Sequence, residues 1–313
     1  MENSSKYNIN SVSVLTNLNI HTIRAWEKRY SAIVPERTDT NRRMYSKEDI
    51  EKLNLLSDAI QNGHSIGAIA QLSVEELRSL IPNTFNQSTK SSKHESKLQN
   101  LIAESIYHIT KYDYKNFENL LLDSSVNFSR QSLLIDLVIP LLEEIGVLWE
   151  SGKIRVTHEH FAVSVLRTFL GGLIDSNLNP PSAPKILTTT PEGFLHELGA
   201  LIAALYAMDF GWNAIFLGAN LPAEEISSAA KVNNVNAILL SLVYPEDDPR
   251  TGKQIRKLRK FVGNDMQILV SGLSAIGYLK FIEETNSILI KRLDELPIKL
   301  KEIRTINRDI NNV

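Results

Sequence analysis

From Lys185 onward the apolar residues bunch into short unbroken runs, each followed by a longer stretch in which they recur every three or four positions. The runs are "KILTTTP", "WNAIFLGANLP", "AILLSLVYP", "MQILVSG" and "SILIKRL". The periodic stretches are "HELGALIAALYAMDFG", "AEEISSAAKVNN", "GKQIRKLRKFVGN", "GYLKFIEETN" and "IKLKEIRTINRDI". Short continuous runs suit strands buried on both faces, and the wider spacing suits helices packed on one side. Their alternation predicts βαβ units in a doubly wound parallel sheet. Ligands of such sheets sit beyond the carboxyl ends of the strands, so the loops after each run are the places to look for chemistry.

Upstream the pattern changes. From Leu98 to about Leu178 the apolar spacing is helical throughout and predicts a four-helix-type bundle, and the residues up to about Leu80 read as several short helices. "PNTFNQSTKSSKHES", Pro82 to Ser96, has no apolar period and reads as a linker, and "PPSAP", Pro180 to Pro184, marks a second joint. The predicted order is a small helical domain over 1–80, a linker over 81–97, a helical cap domain over 98–179 and an α/β domain over 183–313.

In the first domain, "NSVSVLTNLNIHTIRAWEKRY" predicts a short helix, a turn from Asn17 to Ile20 and a second helix from His21. Val12, Leu15, Leu18, Ile23 and Trp26 recur at helical spacing and would form its core. The second helix then carries His21 and Thr22 at its start and Arg24, Lys28 and Arg29 along it, in the place where a helix-turn-helix meets the DNA major groove. The segment that follows, "SAIVPERTDTNRRMYS", is polar and basic and suits a wing. Charge agrees. The chain as a whole carries −2, yet between Ile20 and Tyr45 the six cations Arg24, Lys28, Arg29, Arg37, Arg42 and Arg43 face only Glu27, Glu36 and Asp39.

Composition closes several other doors. With 43% hydrophobic and 22% charged residues the chain is of globular type, and no apolar run reaches the length of a membrane span. There is no cysteine, which excludes disulfides and thiolate metal sites and suits the cytoplasm, as does an opening "MENSSKYNIN" without secretory character.

"HTIRAWEKRY", a proline, "NRRMYS", a helix from Ser46, Gly63 and "SIGAIAQL" together resemble the winged-helix DNA-binding domain of the MerR family of transcriptional regulators. The resemblance implies double-stranded operator DNA as partner, with RNA polymerase engaged only indirectly. It places Arg24 and its neighbours His21, Thr22, Lys28 and Arg29 on the recognition helix, and Arg42, Arg43 and Tyr45 as wing contacts to the DNA backbone.

A second constellation lies in the α/β domain. His196 follows the first predicted strand, and Gly199, three residues on, lets the next helix come close to the sheet or a ligand. The later strand ends carry Ser241-Leu242-Val243 and Ser271-Gly272. This set resembles the cobalamin-binding fold. The resemblance implies that His196 is the lower axial ligand of cobalt, for which a neutral imidazole is suited. It also implies that the small residues make room for the cofactor's nucleotide tail. Phe194 stands where the pattern has an acidic residue to steady the imidazole, and Glu192 is the candidate to replace it. A serine also stands in for the first glycine of the usual pair.

The bundle contributes Trp149, with Gly152 as a cap and Thr157 as the start of the next helix; Glu159 and His160 then cluster near the tryptophan. Reader, bundle and cobalamin-like domain in this order resemble the CarH/LitR group of light-sensing repressors. In that group a tryptophan and a glutamate–histidine pair shelter the upper adenosyl group. The resemblance implies adenosylcobalamin (or another cobalamin form) as cofactor, a homotetramer that holds DNA in the dark, and disassembly by light. Glu150 occupies the place of the histidine that captures cobalt after photolysis. Either another residue caps the metal, His158 being near in sequence, or the photoproduct is less stable, or light is not the signal. Cobalamin binding is expected to survive without bis-histidine capture. Two other readings stand beside this one. In one, the cobalamin-like domain is a cofactor-independent oligomerisation or protein-partner module. The other, a cobalamin-dependent enzyme, lacks room for a substrate barrel of about 250 residues, and the chain is expected not to be an enzyme.

Overall fold

A computed structural model describes residues 6–311 apart from 17, 19, 39–41, 62, 63, 65, 81–89, 175–178 and 247. Asn17 of the predicted turn, Asp39, Gly63 and much of the predicted linker therefore lie outside the described residues. The chain divides into two compact units, residues 1–178 and 179–313.

The first unit opens with the helices α1 (Ile9–Thr16) and α2 (Ile20–Tyr30), with Asn8 accepting the Ser11 N–H at 3.0 Å to start α1. Strands β1 (Glu36–Arg37) and β2 (Arg43–Met44) pair antiparallel as the predicted wing. Helix α3 (Lys47–Gln61) begins with a reciprocal cap in which Ser46 and Asp49 each accept the other's backbone N–H, at 3.1 and 2.9 Å. The short α4 (Ile66–Ile69) and α5 (Val74–Leu80) complete the reader. Its core holds Val12, Ile23, Trp26, Tyr45, Leu53 and Leu56, with Leu18 packed at its margin. Leu15, expected in that core, is 53% exposed, because α1 is too short to bury more than one stripe.

Helices α6 (Lys90–Thr110) and α7 (Tyr114–Asn127) are followed by α8 (Arg130–Ser132), a π-helical turn over Leu133–Val138, α9 (Ile139–Glu150) and α10 (Val156–Ile174). The bundle is the predicted one with three adjustments. Helix α6 starts at Lys90, inside the expected linker, since lysine and glutamate continue a helix readily without any apolar period. The wide turn comes just before Pro140, whose ring would otherwise meet the carbonyl of the preceding turn. Helix α10 starts at Val156, one residue ahead of the expected Thr157. Gly152 caps α9 as expected: at φ +72° its N–H donates to the Trp149 carbonyl at 2.9 Å.

The second unit is the predicted α/β domain: β3 (Lys185–Thr189), α11 (Leu198–Asp209), β4 (Asn213–Phe216), α12 (Ala223–Val232), β5 (Ala237–Ser241), α13 (Pro249–Val262), β6 (Gln267–Ser271), α14 (Leu279–Glu284), β7 (Ile288–Ile290) and α15 (Leu296–Asn311). Its five strands are all parallel in the order β4-β3-β5-β6-β7. Ile238 and Leu240 of β5 and Ile268 and Val270 of β6 share a core with Ile226, Ile255 and Ile282 of α12, α13 and α14. Helix α11 packs against β3, β4 and β5 and also against α15. It is buried from Leu198 to Met208 save Gly199, which is why its sequence is apolar all round. The strand order reverses between β3 and β5, and that switch point positions the site.

Candidate cofactor and DNA sites

The loop from β3 to α11 is built as a closed turn. Gly193 sits at φ +94° and gives its N–H to the Asn220 side chain at 2.8 Å. The Thr190 hydroxyl donates to the Phe194 carbonyl at 2.5 Å and accepts the Asn220 N–H at 2.8 Å. Phe194 is thereby driven inward: it is 1% exposed and meets Tyr278 edge-on at 6.2 Å. Leu195 and His196 are turned outward, two residues ahead of α11. The His196 imidazole makes no hydrogen bond among the described residues. Its ring neighbour is Tyr244 on the loop after β5, with centroids 6.1 Å apart and planes at 85°. The two loops flank the switch point, so an unengaged imidazole stands where ligands of this fold bind.

Glu192 does not steady that imidazole. Its carboxylate accepts from the Gln254 side chain on α13 instead. The position of the expected acidic partner is core, and the proposed substitute faces another helix, so among the described residues no carboxylate holds His196.

The small residues sit together as their spacing suggested. A Cβ on Gly199 would come within 2.5 Å of the Ser241 hydroxyl and 3.7 Å of Val243, so the start of α11 rests on the end of β5. Ser241 and Ser271 are register partners across β5 and β6. Gly272 adopts φ +103°, and a Cβ there would fall on the backbone of Leu242. Gly272→Ala is therefore expected to cost about 2–4 kcal/mol in thermal melting, from forbidden backbone and overlap together. Gly199→Ala should cost clearly less, because a serine hydroxyl can rotate away, and Gly199→Ala with Ser241→Ala should recover most of that loss. Equal costs for both alanines would refute the assignment.

Sequence reasoning missed the apolar character of this edge. Leu195, Tyr244, Leu273 and Ile276, on the loops after β3, β5 and β6, are 70%, 59%, 73% and 62% exposed. Large apolar side chains at a strand-end rim are a mark of a ligand surface. Phe194 beside Leu195 and Ala275 beside Ile276 are buried, so apolar character alone had no means of telling rim from core.

In the bundle, Trp149 ends α9 and is 45% exposed, and the Glu159 carboxylate lies 3.4 Å from Nε2 of His160 near the start of α10. The loop between the helices brings all three to one end of the bundle, although no hydrogen bond or ring contact links Trp149 to the pair. His158 is committed elsewhere. Its Nδ1 accepts the Arg155 N–H at 2.9 Å, and its ring stacks on Tyr112 at 4.6 Å. That bond occupies the Nδ1 lone pair.

In the reader, Arg24, Lys28 and Arg29 of α2 and Arg42 of the wing are exposed. Thr22 is buried. Arg43 is held by Glu27 of α2, 2.7 Å from its carboxylate, and braces the wing. Tyr45, expected at the DNA backbone, is fully buried, and desolvation pushes its phenol up to about 12. It is a core residue of the reader, not a surface contact.

With the geometry in place, comparison with known proteins is direct. Residues 7–75 match the MerR HTH family of regulatory proteins, and residues 102–173 and 184–286 each match a B12 binding domain. The chain is thus a MerR-type helix-turn-helix reader joined to a helical and an α/β B12-binding domain. It is 26% identical over 270 residues to the HTH-type transcriptional repressor CarH of Myxococcus xanthus, covering 86% of this chain and 89% of that protein. It is 24% identical over 299 residues to the repressor CarA of the same organism, covering 95% and 96%. CarH and CarA are its homologues over most of the chain. The monomethylamine corrinoid protein of Methanosarcina barkeri shares the fold, with a TM-score of 0.55 and 14% identity over 66% of this chain and 99% of that one. No described helix is long and apolar enough to cross a membrane.

Proposed function

We propose that this chain is a DNA-binding transcriptional repressor whose assembly and operator binding are set by adenosylcobalamin, with light as the releasing signal. One observation supports the cofactor half: an imidazole exposed and without a hydrogen bond among the described residues, beside Tyr244 on a strand-end edge that also exposes Leu195, Leu273 and Ile276. A broad, flat, mostly apolar corrin with one open metal position suits that surface. His196 would hold the metal, and Ser241, Val243, Ser271 and Gly272, with Gly199, are assigned to the nucleotide tail on residue type and spacing. When bound, adenosylcobalamin supplies a cobalt–carbon bond that light can break. Trp149, Glu159 and His160 are assigned to shelter the upper group on residue type and spacing.

The cofactor tightens operator binding only as far as it prefers the assembled state over the dispersed one. A tetramer presents several readers at once, and avidity then does what one weak reader cannot. Glu150 offers no imidazole to the metal, and His158 is held by the Arg155 N–H at Nδ1 and by the Tyr112 ring, so the photoproduct is expected to lack a second histidine ligand. The DNA half rests on Arg24, Lys28 and Arg42, with His21 at the start of the recognition helix. The protein is read as a cytoplasmic regulator without catalytic activity of its own.

A second reading has one observation in its favour. The burial of Phe194 removes the partner that would orient the ligand, as expected of a domain that keeps the fold as a cofactor-independent assembly module. One experiment separates the two: purification in the dark with adenosylcobalamin, followed by visible spectroscopy and size measurement before and after green light. The sensor reading expects a coloured tetramer that falls apart on illumination. A colourless protein of unchanged size supports the module.

A further inference from the structure

The recognition helix has a second face, and it is occupied. Trp26, Arg29 and Tyr30 lie at i, i+3 and i+4 on α2, and Asp123, Val126 and Asn127 lie at the same spacing on α7. The two stripes meet. The indole N–H of Trp26, 1% exposed, donates to the Val126 carbonyl at 2.8 Å. The Arg29 guanidinium donates to the Asp123 carboxylate at 2.7 Å, and the Tyr30 hydroxyl donates to Oδ1 of Asn127 at 3.1 Å. Asn127 is oriented for this, because its Nδ2 donates back to the Asp123 carbonyl at 2.7 Å. Val126 belongs to the apolar core of the reader itself. The bundle and the reader are therefore one body, clasped through the helix that is read as meeting DNA.

We infer that Asp123 competes with the DNA backbone for Arg29. The inference rests on the reading of α2 as the DNA-facing helix. The Trp26 and Val126 contact is buried and fixes where α2 lies. The ion pair beside it is not buried: the two side chains are 54% and 58% exposed. An arginine held in that way stays accessible to a phosphate, but the Asp123 carboxylate already offsets its charge and takes one of its five N–H donors, so the two anions compete for it. Asp123 also holds the Arg29 proton more firmly, through that hydrogen bond first and its charge second. The end of α7 is thus an acidic counter-surface that withholds one cation of the reader and returns it when a phosphate replaces the carboxylate.

The test uses the full-length chain, in the dark with adenosylcobalamin present and again without it, and a labelled random-sequence duplex of about 30 base pairs, titrated by fluorescence anisotropy between roughly 50 and 200 mM salt. Asp123→Asn is expected to tighten binding about three- to fivefold, the scale of one exposed ion pair, and to steepen the log–log salt slope by about one. Arg29→Ala should change wild-type binding by less than about twofold, yet it should abolish the gain produced by Asp123→Asn. An unchanged affinity and slope in Asp123→Asn overturns the inference. So does a gain that survives in the double variant, which would mark a general charge effect. Arg24→Ala separates this from the underlying reading. If it weakens binding while Asp123→Asn is silent, only the competition fails. If the wild type binds no duplex, or Arg24→Ala is silent too, the DNA-facing role of α2 falls and the inference with it.

Discussion

Cobalamin affinity is expected to fall at least about 100-fold in His196→Ala, since loss of even a residue that orients a metal ligand costs 10–100-fold. The measurement is a dark titration of the full-length chain with adenosylcobalamin, followed by visible absorbance. The fold should survive the change. His196 is exposed and makes no hydrogen bond among the described residues, so thermal stability without cofactor should stay within about 0.5 kcal/mol. The two readouts matter together. Lost colour with intact melting locates the effect at the metal, whereas wild-type affinity in His196→Ala would remove the imidazole from the site altogether.

The second large effect runs against intuition from motifs. Phe194→Asp restores the acidic residue found in the cobalamin-binding pattern, yet it is expected to destabilise the α/β unit by about 4 kcal/mol or more. Phe194 is 1% exposed and packs with Tyr278 and the apolar side chains of α12 and α13. Removing a buried phenyl ring costs about 3–5 kcal/mol, and an unpaired carboxylate in its place adds a desolvation penalty. Urea unfolding followed by fluorescence has a probe in the same unit, Trp212, itself 1% exposed. A midpoint near the wild type would mean that the loop can turn this side chain outward toward His196.

Those two residues also mark where sequence reading succeeded and where it stopped. The five strands and the helices between them were legible because burial on both faces leaves the strand centres a continuous apolar run, with polar residues kept mostly to the strand ends. The reader and its wing were legible for a different reason, the dense run of matches from His21 to Tyr45. The joint role of Gly199 and Ser241 could be read from spacing, since a fixed distance along a βαβ unit fixes which strand ends are neighbours. Direction was the part that could not be read. Nothing in "PEGFLHE" says that Phe194 points in and Leu195 out; the turn closed by Thr190, Gly193 and Asn220 decides it. Tyr45 failed for the same reason, as a tyrosine amid arginines that proves to be core. The clasp between α2 and α7 joins residues 94 to 100 positions apart, beyond the reach of any local pattern.

Helix α11 is walled in by the sheet on one side and by α15 on another, and only Gly199 among its residues from Leu198 to Met208 keeps partial exposure. The imidazole two residues ahead of it therefore leads directly into a helix buried on nearly every side. A ligand held by that ring would bear on a short loop that runs without a break into this buried helix, and through its packing onto β3, β4 and β5.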